Sequence, residues 1–219
     1  MTSLAEENYL KAIYKLHEKT GGNASTSALA EQLQVSAASV TDFVKKMATK
    51  KLIRYEKSKG VSLTDKGQMI AVQIIRKHRL WEVWLVEKLG MKWDEVHAIA
   101  EQLEHISSEA LIELLDRHLD FPTTDPHGDL IPDSRGKFAP SQNKSLQTIQ
   151  VGQKVKFTGV GDHSTAFLQF LTKSSISLGD VFEVEAIESF DQSFQVRINN
   201  KKSKILSKEV VKNLLVVTI

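Results

Sequence analysis

His97, Glu101, Glu104 and His105 fall within one stretch whose spacing predicts a helix. Steps of three and four residues put Glu101, Glu104 and His105 on one face, with His97 a turn earlier. On the preceding predicted helix, His78 and Glu82 are also four residues apart. Imidazole and carboxylate groups offered by two antiparallel helices towards each other are how helical bundles build metal sites. The chain has no cysteine, which excludes disulfides, thiolate zinc sites and thiol catalysis. Nitrogen and oxygen donors without sulfur suit Mn²⁺ or Fe²⁺ better than a structural zinc site. A single Glu–His pair four apart is ordinary on a solvated helix face, whereas six such residues on two neighbouring helices are not. His17 and His118 lack partners at metal spacing and read as surface residues. The competing chemistry is a hydrolytic metal pair, but no separate nucleophile or general base stands out, so the chain does not read as an enzyme.

The elements that must position these groups are legible from periodicity and caps. Leu4, Tyr9, Leu10, Ile13, Tyr14 and Leu16 follow a helical period that Thr20-Gly21-Gly22-Asn23 ends. A short helix from about Ser27 to Leu33 is followed by Gln34-Val35-Ser36 and a third helix from about Ala37 to Lys50, with Ser36 as its N-cap. Leu52 to Leu63 reads as a hairpin around Lys57-Ser58-Lys59-Gly60. Thr64 then caps a long helix reaching about Leu89, and the chain reads as helical from about Leu80 to Leu119. Helix, short helix, turn, helix and hairpin in this order form a winged helix-turn-helix pattern.

Charge agrees with that pattern. Net charge is only +2, yet Phe43 to Gly60 holds seven basic residues against Glu56 alone, which leaves +6 there and a net acidic remainder. A local basic block in a near-neutral chain points to one polyanion-binding place, here double-stranded DNA. Ser36, Ala37, Ala38, Ser39, Thr41 and Asp42 form the helix end expected to reach bases and nearby phosphates, with Ser36, Ser39 and Thr41 as short hydroxyl donors. Lys45 and Lys46, with Lys57 and Lys59 on the wing, are expected to hold phosphates. Trp81, Trp84, Leu85, Trp93 and Leu103 enrich the following segment in large apolar groups, which implies a partner surface and a homodimer reading a palindromic operator.

All four prolines, with Gly128 and Gly136, lie between Phe121 and Lys144, a connecting segment. Beyond it come short β-like runs, Val155–Phe157, Val181–Val184, Phe194–Ile198 and Leu214–Val217, with at least a helical turn over Ser164 to Leu171. They suggest a small barrel. The expected fold is thus mainly α with a C-terminal small β-barrel: a DNA-binding domain over residues 1–72, a helical dimerisation and metal-binding domain with linker over 73–143, and the β domain over 144–219. No stretch approaches the roughly 20 apolar residues of a membrane span. Met1 to Glu7 lacks a basic region before an apolar run, so a cytoplasmic protein is expected.

Five separated motifs occur in order: Asn8-Tyr9-Leu10-Lys11-Ala12-Ile13-Tyr14, Val35-Ser36-Ala37-Ala38-Ser39-Val40-Thr41, Leu63-Thr64-Asp65-Lys66-Gly67, Arg76-Lys77-His78-Arg79-Leu80 and Glu104-His105. With the linker Phe121-Pro122…Asp125-Pro126-His127-Gly128…Ile131-Pro132, they make the chain resemble the diphtheria toxin repressor and manganese transport regulator family, in its longer form with an SH3-like (FeoA-type) C-terminal domain. The resemblance implies a transcriptional repressor of manganese or iron uptake genes with metal as co-repressor. It implies a regulatory metal site drawing on Asn8, Glu101, Glu104 and His105, with His78 nearby or included. It implies a second site at Glu82 and His127, with Asp125, His97 or His163. Glu101 stands where iron-type members carry cysteine and manganese-type members a carboxylate, which favours Mn²⁺ over Fe²⁺. Asn8 replaces the aspartate of manganese-type members, and Lys11 removes a carboxylate that some small manganese regulators use. The alternative is a winged-helix regulator that does not sense metal, its His and Glu residues merely packed or solvated.

Overall fold

The computed structural model describes every residue except Met1 and Lys202. The chain divides into two compact units: Met1–Trp81, Ala100–Leu115 and Pro132–Phe138 form the first, and Glu82–Ile99, Asp116–Ile131 and Ala139–Ile219 the second. Among the described residues no helix is long and apolar enough to cross a membrane.

In the first unit, helix α1 (Leu4–Thr20) starts at a capping box in which Ser3 and Glu6 satisfy each other's backbone N–H, and it stops at Gly21 in the left-handed region. Helix α2 (Thr26–Leu33) is capped by Ser25, and α3 (Ala37–Thr49) by Ser36. Leu10, Ile13, Leu29, Val40, Val44 and Met47 are fully buried where the three helices meet. Strands β1 (Ile53–Glu56) and β2 (Gly60–Leu63) pair antiparallel to make the wing. Gly60 holds a positive φ, and a Cβ there would lie 2.6 Å from the Ala24 carbonyl oxygen, so the wing's return strand needs glycine at that point.

Helix α4 (Asp65–Glu87) follows. The segment expected to be helical from Leu80 to Leu119 instead holds the end of α4 and two short helices, α5 (His97–Leu103) and α6 (Glu109–His118). The first interruption comes at Gly90, again at positive φ. The second is a tightened turn: Glu104 N–H still reaches the Ala100 carbonyl, but Ile106 N–H bonds only three residues back to Leu103. Ser108 then accepts from Leu111 N–H as α6 begins. Of the apolar groups expected to form a partner surface, Trp81 and Leu85 are buried and Trp93 packs on the β core. Leu89, Leu111 and Leu114 are the large apolar side chains exposed along that segment.

The second unit is built on a six-stranded antiparallel sheet of order β3-β8-β4-β5-β6-β7. Its strands are β3 (Lys144–Ser145), β4 (Lys154–Val160), β5 (Val181–Ile187), β6 (Phe194–Ile198), β7 (Ser203–Leu206) and β8 (Leu214–Thr218), joined with helices α7 (Thr165–Lys173) and α8 (Lys208–Lys212). Alternation is strict along β6, where Phe194, Val196 and Ile198 face inward and Gln195 and Arg197 outward. Phe157 and Phe182 stack at its centre with ring centroids 5.6 Å apart. The sheet clamps the loop that carries Asp125 and His127. Val160 N–H bonds to the His127 carbonyl, and Gly128, at positive φ, approaches so closely that a Cβ would sit 2.0 Å from the Thr158 carbonyl oxygen.

One ion pair ties α1 to the far end of α3. Buried Glu6 accepts from Lys50 Nζ at 2.5 Å, and that hydrogen bond, followed by the Ser3 backbone N–H, holds its carboxyl below the usual glutamate range. A depressed carboxyl contributes stability above its unfolded pKa and loses it as pH falls through the folded value. Lys50→Met is therefore expected to cost up to about 1 kcal/mol near neutral pH, the difference shrinking as the solution is acidified below the glutamate range. Urea unfolding of both proteins across that range checks it; a cost that persists undiminished in acid would refute the assignment.

Candidate metal centres and nucleic-acid interface

Two groups of buried acids and imidazoles stand out, each within one unit. In the first unit, α1 supplies Glu7, Asn8 and Lys11, α4 supplies His78, α5 supplies Glu101, and the turn after α5 supplies Glu104 and His105. Glu104 and His105 were expected inside the same helix as Glu101; the tightened turn instead swings them just past its end. Glu104 has no exposed surface, and Lys11 is 5% exposed. Lys11 Nζ donates to Glu101 Oε1 at 2.6 Å and to Glu104 Oε2 at 2.5 Å, and lies 3.3 Å from His78 Nδ1. His78 Nδ1 is in turn 2.6 Å from Glu104 Oε2. Burial alone would push the Glu101 carboxyl up; the Lys11 charge and hydrogen bond, with His78, outweigh it and hold the group below the usual range.

The other side of Glu104 is different. Its Oε1 is buried with no hydrogen-bond partner among the described residues, and so is Asn8 Oδ1. His105 Nε2 lies 3.7 Å from Glu104 Oε1, while His105 Nδ1 is 2.7 Å from Glu7 Oε2. A carboxylate that takes the Nδ1 proton leaves the Nε2 lone pair available, the arrangement usual behind a metal-ligating histidine. Orphaned buried oxygens are costly unless something polar or charged meets them, so Asn8, Glu104 and His105 fit a cation.

In the second unit Glu82, Asp125 and His127 are all buried, and each offers a ligand atom within 4.8 Å of the others. His127 Nε2 is held by the Trp93 carbonyl at 2.8 Å, which fixes the ring and turns Nδ1 to within 3.5 Å of Glu82 Oε2 and 3.9 Å of Asp125 Oδ1. Asp125 Oδ1 accepts from the backbone N–H of His127 and of Asp129, at 2.8 and 3.0 Å. His127 Nδ1 is buried without a hydrogen bond among the described residues, so this trio also fits a cation. His97 Nδ1 lies 3.2 Å from Glu82 Oε1, beside this group. His163 stands one step out: its ring meets His127 edge-on at 5.3 Å, and its Nε2 is 3.3 Å from Asp129 Oδ2.

Several participants escape a sequence reading. Glu7 and Lys11 lie on the Asn8 face of α1 at a spacing of four, a signal that was present; the Trp93 carbonyl and Asp129 leave none. His17 and His118 are exposed, as read.

At the proposed reading end of α3, Ser36, Ala37, Ala38, Ser39, Asp42, Lys45 and Lys46 are exposed while Val40, Val44 and Met47 are buried. The hydroxyls are not idle. Ser36 Oγ accepts from Ser39 N–H and sits 2.8 Å from Ser39 Oγ, and Thr41 Oγ1 donates to the Ala37 carbonyl. On the wing Lys57 and Lys59 are exposed, Lys59 paired with Glu56 at 2.8 Å.

Comparison with known proteins matches nearly the whole chain to three families. Residues 1–61 match the iron dependent repressor N-terminal DNA binding domain, 64–133 the iron dependent repressor metal binding and dimerisation domain, and 144–218 the FeoA domain. The iron-dependent repressor IdeR of Mycobacterium bovis is 40% identical over 126 residues, 58% of this chain and 54% of that protein. The chain thus spans about half the length of the mycobacterial relatives it matches. The HTH-type transcriptional regulator MntR of Bacillus pumilus is 31% identical over 70% of this chain and 94% of its own length. A solved structure of a manganese-dependent transcriptional repressor complex with manganese superposes with a TM-score of 0.90 at 33% identity, covering 98% of this chain and all of that one. The manganese regulator SloR superposes at 0.77 with 29% identity.

The second centre makes a pH prediction. Burial alone would lower the His127 pKa, but the Glu82 carboxylate 3.5 Å from its Nδ1, with Asp125 and the Trp93 carbonyl, raises it to about 9. A metal needs the neutral ring. Metal uptake near pH 7 should therefore release about one proton from this site, and affinity should climb with pH until it levels off near 9. Calorimetry in buffers of different ionisation enthalpy reads the proton, and His127→Gln should remove it. Proton release that is indifferent to both pH and His127→Gln would contradict the assignment.

Proposed function

Because this chain belongs to the family of iron-dependent repressors and manganese transport regulators, we propose that it represses genes for manganese or iron uptake, with the metal itself as co-repressor. The family is one of transcriptional regulators rather than enzymes. The observation that carries metal sensing is the buried trio Glu82, Asp125 and His127, whose two carboxylates and imidazole offer ligand atoms within 4.8 Å of one another.

In this reading residues 1–72 bind DNA, 73–143 dimerise and hold metal, and 144–219 form an SH3-like barrel. Asn8, Glu104 and His105 hold one ion; Glu82, Asp125 and His127, with His97 beside them and His163 further out, hold another. The donors are oxygen and nitrogen throughout, which favours Mn²⁺, with Fe²⁺ next. Asn8 of α1, with Glu104 and His105 beyond α5, would hold the ion, whose charge would supply the link between these elements. Glu7, through its bond to His105, orients the imidazole from the same turn of α1. Fixing α1 fixes α3 and favours the DNA-competent arrangement. Metal binds that arrangement more tightly, and DNA tightens metal by the same factor, a coupling of about 1–3 kcal/mol. Two recognition helices of a cytoplasmic homodimer then read a palindromic operator. The exposed end from Ser36 to Asp42 faces the bases, and Lys45, Lys46, Lys57 and Lys59 face the phosphates.

Fluorescence anisotropy with a palindromic site from a metal-transporter promoter tests this, titrated with Mn²⁺, anaerobic Fe²⁺, Zn²⁺ and chelator. Chelator should abolish binding and one ion restore it, with log affinity falling steeply against log salt. Asn8→Ala should demand more metal for the same occupancy. Equally tight binding in chelator would instead leave a winged-helix regulator that does not sense metal.

A further inference from the structure

A lysine at the heart of a candidate metal centre is the chemical oddity of this chain. Lys11 projects from α1 into the space between two helices and meets Glu101 Oε1, Glu104 Oε2 and His78 Nδ1, the donor types a divalent ion would take. Its side chain is 6% exposed and that of Glu104 is not exposed at all. An ammonium so enclosed is a positive charge on a tether. Its local concentration at the carboxylates far exceeds that of any free ion.

The charges agree with this arrangement. Glu7, Glu101 and Glu104 bring three negative charges to the centre against Lys11, with Lys15 acting on Glu101 and Glu104 as a second positive charge, which leaves the centre net negative. A further cation meets that. The orphaned oxygens of Asn8 and Glu104 mark where it belongs, with His105 Nε2 3.7 Å from Glu104 Oε1. Glu104 straddles the two halves, giving Oε2 to Lys11 and keeping Oε1 for the other side.

We propose that Lys11 is a built-in cation that fills the His78–Glu101–Glu104 half of the centre, closes that half to metal, and pins α1 to α5 whether or not metal is bound. The inference rests on the reading of Asn8, Glu104 and His105 as a metal site only for what occupies the other half. It has two consequences. The centre takes a single ion, and part of the bridge between α1 and α5 is permanent, so metal adds to a contact that already exists.

The test uses the full chain and counts bound Mn²⁺ by equilibrium dialysis, with thermal unfolding in chelator and in Mn²⁺ as the second readout. Lys11→Arg keeps the charge and should keep the wild-type count. Lys11→Gln removes it and should bind about one Mn²⁺ more per chain, as a vacated site of two carboxylates and an imidazole would. It should also unfold at lower temperature in chelator and regain more than wild type from Mn²⁺. An unchanged count in Lys11→Gln overturns the proposal. If Lys11→Gln fails to fold, Glu101→Gln in the presence of Lys11 decides. Unchanged Mn²⁺ uptake supports the proposal, and a loss of one ion shows that metal displaces the ammonium and overturns it. Should wild type bind no Mn²⁺ while Lys11→Gln does, the co-repressor reading falls and the role of Lys11 stands.

Discussion

Carboxylates with no access to water must be met by positive charge, and both centres of this protein are arranged around that requirement. Glu104 is wholly buried and Glu82 nearly so. Each needs something to replace the hydration that burial removes. The two centres use different cations for this. At Glu104 the cation is the Lys11 ammonium, fixed by the chain. At Glu82 it is a proton on His127, whose pKa of about 9 is the direct result of Glu82 and Asp125 standing beside a buried ring. A proton can leave and a lysine cannot. In the proposed function the second centre would exchange that proton for metal, whereas Lys11 would keep half of the first closed.

Helix α1 gathers the consequences. Within two turns it carries Glu6, paired with Lys50 at the end of α3, Glu7, bonded to His105, Asn8, with its orphaned oxygen, and Lys11. Its opposite side is the core: Leu10 and Ile13 are fully buried against α2 and α3. A charge introduced next to Asn8 acts on an element that is already welded to α3. No long chain of intermediates is needed for such coupling; one rigid helix shared by both sites is enough.

Much of this was legible in the sequence because local rules set it. The period of α1, the Ser36 cap and the hairpin around Lys57 to Gly60 follow from apolar spacing and turn residues, and they appear within a residue or two. The pairing of ligand candidates was less legible. His97 reads as a neighbour of Glu101, one turn along a helix; α5 begins at His97, and its Nδ1 also stands 3.2 Å from Glu82 Oε1. Nothing in the spacing of four residues announces that tertiary partner. Strand β7 and helix α8 also escape, since four or five residues with a single buried apolar side chain each carry too little periodicity. The Trp93 carbonyl is invisible for a different reason: a backbone acceptor has no residue type to betray it.

Lys11 shows how far residue type can mislead when read singly. In a list of candidate ligands a lysine counts only as a missing carboxylate, because an ammonium has no lone pair to give a metal. In a list of charges the same lysine is the strongest feature of the centre, since it satisfies what the acids require without any ion from solution. The second description is the more physical one. Metal selectivity in such a centre is decided by how much negative charge remains after the protein has used its own cations, and by which donor atoms face that remainder. Here the remainder is met by an amide oxygen, a carboxylate oxygen and an imidazole nitrogen, from Asn8, Glu104 and His105, with the sulfur ligands that would favour softer ions absent from the whole chain.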